Sequence, residues 1–368
     1  MTILVVLMLV VTQVVGIVQR TWVRTNSRVS QFREARIAFD TITRSLSQAT
    51  LNTYWENVFD PLHSDSLGQQ FKKARSYVRQ SELQFVCGPT STVITSASGS
   101  SQNYPGHAVF FQAPLGITRL VTATGSQVNT ENMVNLLCGR GYFVEWGDDQ
   151  PYRPPFLNSL NSVPVRFRLR LMEYSPTAEM NRIYDQNLRP LVDNQTGVNN
   201  GKRWFNEGVA AVLSSTVQDN ETNITRAFTR PIAENILALI ISPQIESNNT
   251  SASPPYVIAP AYLYDSTLIG STALGGSQGT QHLLPPLLRV TMVAIDSRGG
   301  ETLSSDSELR DQILQTVSGL FTQASQFESD LEGTPDDPGT LETVLLKSKI
   351  NFRVFTTTIA MKQARWSL

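Results

Sequence analysis

The first eighteen residues constrain this chain more than any other stretch. From Ile3 to Val18 no side chain is charged, and Ile3 to Val11 is unbroken apolar sequence. A helix that is greasy on every face has to be covered all round, which in a chain of ordinary composition points to lipid or to neighbouring helices. Ile3, Leu4, Val5, Val6, Leu7, Leu9, Val10, Val14, Ile17 and Val18 are therefore read as a membrane and assembly helix. At 1.5 Å per residue, Met1 to Val18 would reach about 27 Å, slightly less than the roughly 30 Å hydrocarbon layer. A cleavable signal peptide needs a basic start and a small-residue cleavage site. Only Met1 and Thr2 precede Ile3, and Gln19-Arg20-Thr21-Trp22 is no such site.

The apolar run passes into a one-sided pattern. Val18, Trp22, Thr25, Val29, Phe32, Ala35, Phe39, Ile42, Leu46 and Ala49 step by three or four residues, the spacing of one helical stripe. Neither Pro nor Gly interrupts Gln19 to Tyr54, and Arg20, Arg24, Arg28, Arg33, Glu34, Arg36 and Asp40 fall mostly on other faces. The pattern predicts one helix to about Thr50, with Phe32, Phe39, Ile42 and Leu46 docking it on a globular body. The organisation expected is residues 1–19 as the membrane half of the helix, 20–55 as its amphipathic half, and 56–368 as the body.

Within the body, Ala108 to Gln112, Ile117 to Thr122 and Tyr142 to Trp146 read as short strands. Val165, Phe167, Leu169 and Leu171 alternate with Arg166, Arg168 and Arg170, which predicts one buried face and a ladder of three guanidinium groups on the other. That ladder is either solvated or set against a carboxylate-bearing strand. Ile236 to Ile241 reads as a central strand, Leu288 to Ala294 as another, and Ile350 to Ile359 as a last one. Helical spacing recurs at Glu131 to Leu137, from Leu309 to Phe327 and at Leu341 to Leu346. The fold class expected is α+β: a long N-terminal membrane-spanning helix continuing into a mainly antiparallel, β-rich body.

Charge and chemistry narrow the functions. The chain has 30 basic and 31 acidic residues, a net charge of -1. A nucleic-acid binder draws its affinity from a basic surface, so that partner is not expected. Only 17% of its residues are charged, which with its polar loops suits a body outside the cytoplasm. Gly275-Gly276-Ser277-Gln278-Gly279 fits the G-x-S-x-G pattern, but no strand precedes it and no helix follows, so the nucleophile-elbow context is missing. Gly139-Arg140-Gly141 and Gly197 to Lys202 lack the spacing of phosphate loops. Three scattered histidines and two cysteines build no zinc spacing, and Asp148-Asp149 and Asp336-Asp337 lack a calcium loop around them. Neither catalytic residues, a cofactor nor a metal is expected. Cys87 and Cys138 allow one disulfide across a loop of about 50 residues, or two buried thiols.

The segments Gln31-Phe32-Arg33-Glu34-Ala35-Arg36, Leu46 to Trp55, Asn135-Leu136-Leu137 with Arg140 to Glu145, Arg168 to Glu173, Ala233 to Leu239 and Asn351 to Phe355 follow one another along nearly the whole chain. Together they resemble the Verru_Chthon cassette protein C family of prepilin-like proteins. The layout is similar, more distantly, to the J-type minor pseudopilins of type II secretion. The resemblance implies a membrane-anchored, pilin-like structural subunit and not an enzyme. Its partners would be other pilin-like subunits and membrane lipid, with secreted cargo or a surface ligand at the polar loops. Its place would be the inner membrane, single-pass, with the body in the periplasm or at the cell surface. The alternative is an anchored envelope binding protein or adhesin that acts alone. Prepilins open on a basic leader ending in Gly and carry a Glu at the fifth mature position. This sequence shows neither, and its Met1 is expected to correspond to a point partway along the hydrophobic segment.

Overall fold

The structure is a computed structural model that describes residues 13–16, 32–59, 63–64, 68, 70–94, 103–117, 135–150, 152–158, 163–178, 181–184, 204–205, 228–245, 258–270, 278–333 and 340–364. The described chain is mostly β. The strands are β1 (Tyr54–Phe59), β2 (His63–Ser64), β3 (Gln70–Phe71), β4 (Ala74–Gln80), β5 (Val86–Pro89), β6 (His107–Pro114), β7 (Leu137–Gly147), β8 (Arg168–Tyr174), β9 (Thr229–Glu234), β10 (Ile236–Gln244), β11 (Tyr264–Asp265), β12 (Leu287–Ile295) and β13 (Phe352–Ala360). They form a six-stranded sheet in the order β11-β5-β6-β7-β8-β9, a three-stranded sheet β10-β12-β13, and two ribbons, β1-β4 and β2-β3. Every pairing is antiparallel.

The six-stranded sheet is apolar on both faces because alternate side chains of its inner strands go to two different cores. Val109, Phe111, Tyr142, Val144, Leu169 and Leu171 join the larger cluster with β10 and β12. Phe110, Phe143, Met172 and Tyr174 join a second cluster around Trp204 and Phe205. The Phe110 and Phe205 rings stack at 3.8 Å. Gly139 and Gly141, on β7, leave room for Trp204 and Phe110, whose rings occupy the space a Cβ would need. The glycine pair weighed above as a phosphate loop is therefore a packing feature of a strand.

A helix over residues 32–46 lies against the larger core. Ala35, Ala38, Phe39, Ile42 and Leu46 are buried, and Phe32 packs at the margin. The helix stops short of the expected Thr50 because the Thr50 N–H donates to Gln112 O of β6 at 2.9 Å, which turns the chain onto the sheet. The Asn52 side-chain Oδ1 then accepts from Ser81 Oγ, Glu82 N and Leu83 N, fixing the start of the β1-β4 ribbon.

Several expectations need correction. No helix among the described residues is long and apolar enough to cross a membrane. Of the apolar segment, only the turn 13–16 is described, and the 32–46 helix bears Arg33, Glu34, Arg36, Asp40 and Arg44. The α+β class built on a long membrane-spanning helix and the single-pass inner-membrane placement are corrected accordingly. Ile3, Leu4, Val5, Val6, Leu7, Leu9, Val10, Ile17 and Val18 lie outside the described residues, and Val14 is exposed. β10 is an outer strand, with β12 at the centre of its sheet. Its continuous apolar sequence is explained by packing on the six-stranded sheet as well as pairing with β12.

Of the two states left open for the cysteines, the structure shows the buried thiols. Cys87 stands opposite Val109, and Cys138 opposite Ala113, with β6 between them. Four residues of offset and two strand spacings separate them by roughly 16 Å, well beyond the reach of a disulfide. Both are buried thiols, not joined to each other. Burial pushes the Cys87 thiol up, out of the range where a thiolate forms near neutrality.

Candidate functional site

Most of the polar chemistry on the inner face of the six-stranded sheet gathers under the 32–46 helix. Arg140 on β7, Glu173 on β8 and Arg230 on β9 lie side by side across three adjacent strands, because their registers bring Tyr142 opposite Glu173 and Glu173 opposite Arg230. Glu173 is the hub. Arg230 Nε and Nη2 reach its Oε2 at 2.8 and 2.7 Å. Arg140 Nη1 sits 2.8 Å from its Oε1, and the Tyr142 hydroxyl donates to the same oxygen at 3.2 Å. The Arg140 contact is an ion pair off the hydrogen-bonding direction, and its buried Nε has no hydrogen-bond partner among the described residues.

Exposure separates the three charges. The side chains of Arg140 and Glu173 are 8% and 4% exposed, while that of Arg230 is 70% exposed. The helix closes the cluster from above. Ser45 hydrogen-bonds the Tyr142 phenol, whose ionisation burial and Glu173 push up. A cleft of about 380 Å³ opens beside the cluster, with Arg33, Glu34, Ile37 and Thr41 of the helix on one wall and Glu173, Arg230 and Ile232 on the other.

What this arrangement can do is tie three strands together beneath the helix. Both Glu173 oxygens are engaged by cations or by a phenol of β7 and β9, which aligns the strands rather than leaving a carboxylate free to react. Losing a partner of a buried ion pair costs far more than the pair itself contributes, so the cluster favours one strand register. The outer face of the helix is different: Arg33, Glu34, Arg36, Ile37, Asp40, Thr41 and Arg44 are exposed, Ile37 at 57%.

The other residues singled out in the sequence scatter. Ser277 lies outside the described residues, and His282 is buried in the turn before β12. Among the described residues no three His, Cys, Asp or Glu side chains gather to hold a metal. The arginine ladder is not one solvated row: Arg166 is exposed before the strand, whereas Arg170 is buried and donates to Gly147 O, Asp148 O and Arg166 O at 2.7, 2.8 and 3.1 Å. Arg168 lies 3.7 Å from Glu301, and Arg170 lies 3.6 Å from Glu234. The outward face of β8 packs under the second core instead of meeting water, and Val165 and Phe167 fall before the strand, exposed.

The cluster could have been suspected from sequence. Arg140 lies in the buried run from Cys138 to Glu145 and Glu173 lies between Met172 and Tyr174, and a charge in a buried strand needs a partner. Which charge answers which depends on register, which no local pattern shows. No protein-family model, curated protein or solved structure matches the chain.

Proposed function

We propose that this chain is a pilin-like structural subunit without a catalytic task, which works by assembling with copies of itself or with related subunits. One observation carries the reading. The 32–46 helix is seated on the body by a buried stripe, above the Arg140, Glu173 and Arg230 cluster, while its other face offers Ile37 among charges of both signs. A helix fixed so firmly on one side and so open on the other suits a surface that meets a neighbour. The sequence resemblance to prepilin-like proteins points the same way, and the Glu173 hub leaves no group in position to act as a nucleophile or base on a bound molecule.

The test is a photo-crosslinking amino acid at Ile37 in the full chain, irradiated in cells. Adducts to another copy or to a second pilin-like protein are the expected result. Adducts confined to the same chain, or to an unrelated ligand alone, would favour a binding protein acting by itself and overturn the assembly reading.

A further inference from the structure

The following inference rests on the assembly reading and names the surfaces through which copies meet. The two main sheets have four outer strands, and three are blunted against further pairing. β11 has two residues. β9 carries Pro231 and a register shift. β10 is buried along its whole length. β13 has none of these devices. Its nine residues contain no proline, none is buried, and its ladder with β12 runs without a break from Leu287 opposite Ala360 to Ile295 opposite Phe352. No described strand pairs with its other side. An edge of that length with free backbone donors and acceptors is a template for one more strand.

A groove of about 410 Å³ runs along this edge, under Val354, Thr356 and Thr358. Its charged groups are Glu328, Glu332 and Glu342 against Arg289 alone, an excess of two negative charges. Arg289 is already committed, 3.0 Å from Glu328 and stacked over the Phe327 ring at 3.7 Å. A strand added to β13 would point every second side chain into an acidic channel.

The same chain carries a matching strand. β1 and β4, with β2 and β3 beyond them, make a hairpin arm anchored at its base, where Arg79 donates to Gly279 O at 2.6 Å and to Gln278 Oε1 through its backbone N–H at 2.7 Å. All six residues of β1 are exposed, and Trp55 and Tyr77 are each 66% exposed. A two-stranded ribbon open on both faces is marginal in water, and exposed aromatics on that scale mark a contact surface. The returning half of the arm, residues 72–80, carries Lys72, Lys73, Arg75 and Arg79 and no acidic residue.

We propose that the β4 strand of one copy adds to the β13 edge of the next, laying its cations along the Glu332 and Glu342 groove. Residues Ala74 to Val78 of β4, short of Arg79, whose backbone N–H and C=O are held by the Gln278 side chain, fit within the nine residues of β13. Arm and edge are different surfaces, and each copy has one of each, so the contact is heterologous and propagates into an open chain.

The experiment measures self-association of the full chain by sedimentation velocity at low and raised salt. Two charge-reversed proteins are compared with it, Glu332→Lys with Glu342→Lys, and Lys72→Glu with Lys73→Glu and Arg75→Glu. Each is expected to weaken association about tenfold. Mixing the two reversed proteins restores it, because each arm then meets a groove of opposite sign, a rescue that misfolded proteins cannot give. Raised salt weakens the wild-type contact. If the wild type associates but the reversed proteins associate equally well, or lose association and are not rescued by mixing, the arm-and-edge contact is wrong while the assembly reading stands. If the wild type sediments as one chain at every concentration, both fall.

Discussion

His107 offers the sharpest energetic test of how the two sheets are joined. Its ring is buried between β6, β10 and the turn at Phe321, 4.6 Å from the Tyr262 ring. The Ile241 N–H donates to Nδ1 at 3.1 Å, with Ile241 O a longer contact at 3.3 Å, and Nε2 lies 3.1 Å from Phe321 O. A backbone N–H can only donate, so Nδ1 is bare and Nε2 carries the proton: the ring is neutral. Burial lowers its pKa to about 4, against the hydrogen bonds to Phe321 and Ile241. The unfolded value is about 6.5, and the difference corresponds to about 3 kcal/mol. The sign follows from proton counting. Above pH 6.5 the imidazole is neutral in both states and this contribution is fully present. As pH falls from 6.5 towards 4, the unfolded chain takes up a proton and the folded chain does not, so stability is lost. His107→Leu removes the titration and leaves Phe321 O and Ile241 N without their partner, costing about 2 to 4 kcal/mol at pH 7. Urea unfolding of both proteins at pH 7 and pH 4 isolates the effect from every other titrating group. The gap between wild type and variant should narrow by about 3 kcal/mol at pH 4. An unchanged gap would refute the assignment of a neutral, backbone-bonded ring.

Other consequences are open to direct measurement. Ile42→Ala, at the centre of the docked stripe, should lower the unfolding free energy by about 2 to 5 kcal/mol; a loss under 1 kcal/mol would mean the helix is not packed on the core. Glu173→Gln leaves Arg140 and Arg230 facing each other without a counter-charge, and should cost about 3 to 5 kcal/mol by chemical denaturation. Replacing the exposed Ile37 with Asp should leave the unfolding midpoint within about 0.5 kcal/mol of wild type while lowering self-association. Cys87, buried and poorly ionised, should resist alkylation in the folded protein and react once urea unfolds it; labelling at the same rate in both states would contradict its burial.

Much of the body was legible because its strands are long and locally consistent. The run from Leu288 to Ala294 and the residues around Phe355 show strand character in their own composition, and Phe39, Ile42 and Leu46 announce a helix face by spacing alone. Three features escaped for physical reasons. Alternation in β8 leaves open both a solvated arginine row and one set against a neighbouring strand's carboxylate; the sheet is covered on both faces, and its pairing with β9 puts Glu234 beside the buried Arg170. Unbroken apolar sequence in β10 reads as a central strand, yet a strand can be buried by packing as well as by pairing. The Arg140, Glu173 and Arg230 hub joins three strands through register, and register is decided by the whole sheet rather than by any neighbour in sequence. The apolar N-terminal run shows the converse: hydropathy suggests a span, but no helix among the described residues is long and apolar enough to cross a membrane.

Assembly is the central claim, and sedimentation equilibrium of the full-length chain tests it most directly. A weight-average mass that rises reversibly with protein concentration, and that rises less for Ile37→Asp, is the result the docked helix and its open face call for. The mass of a single chain at every concentration would contradict it.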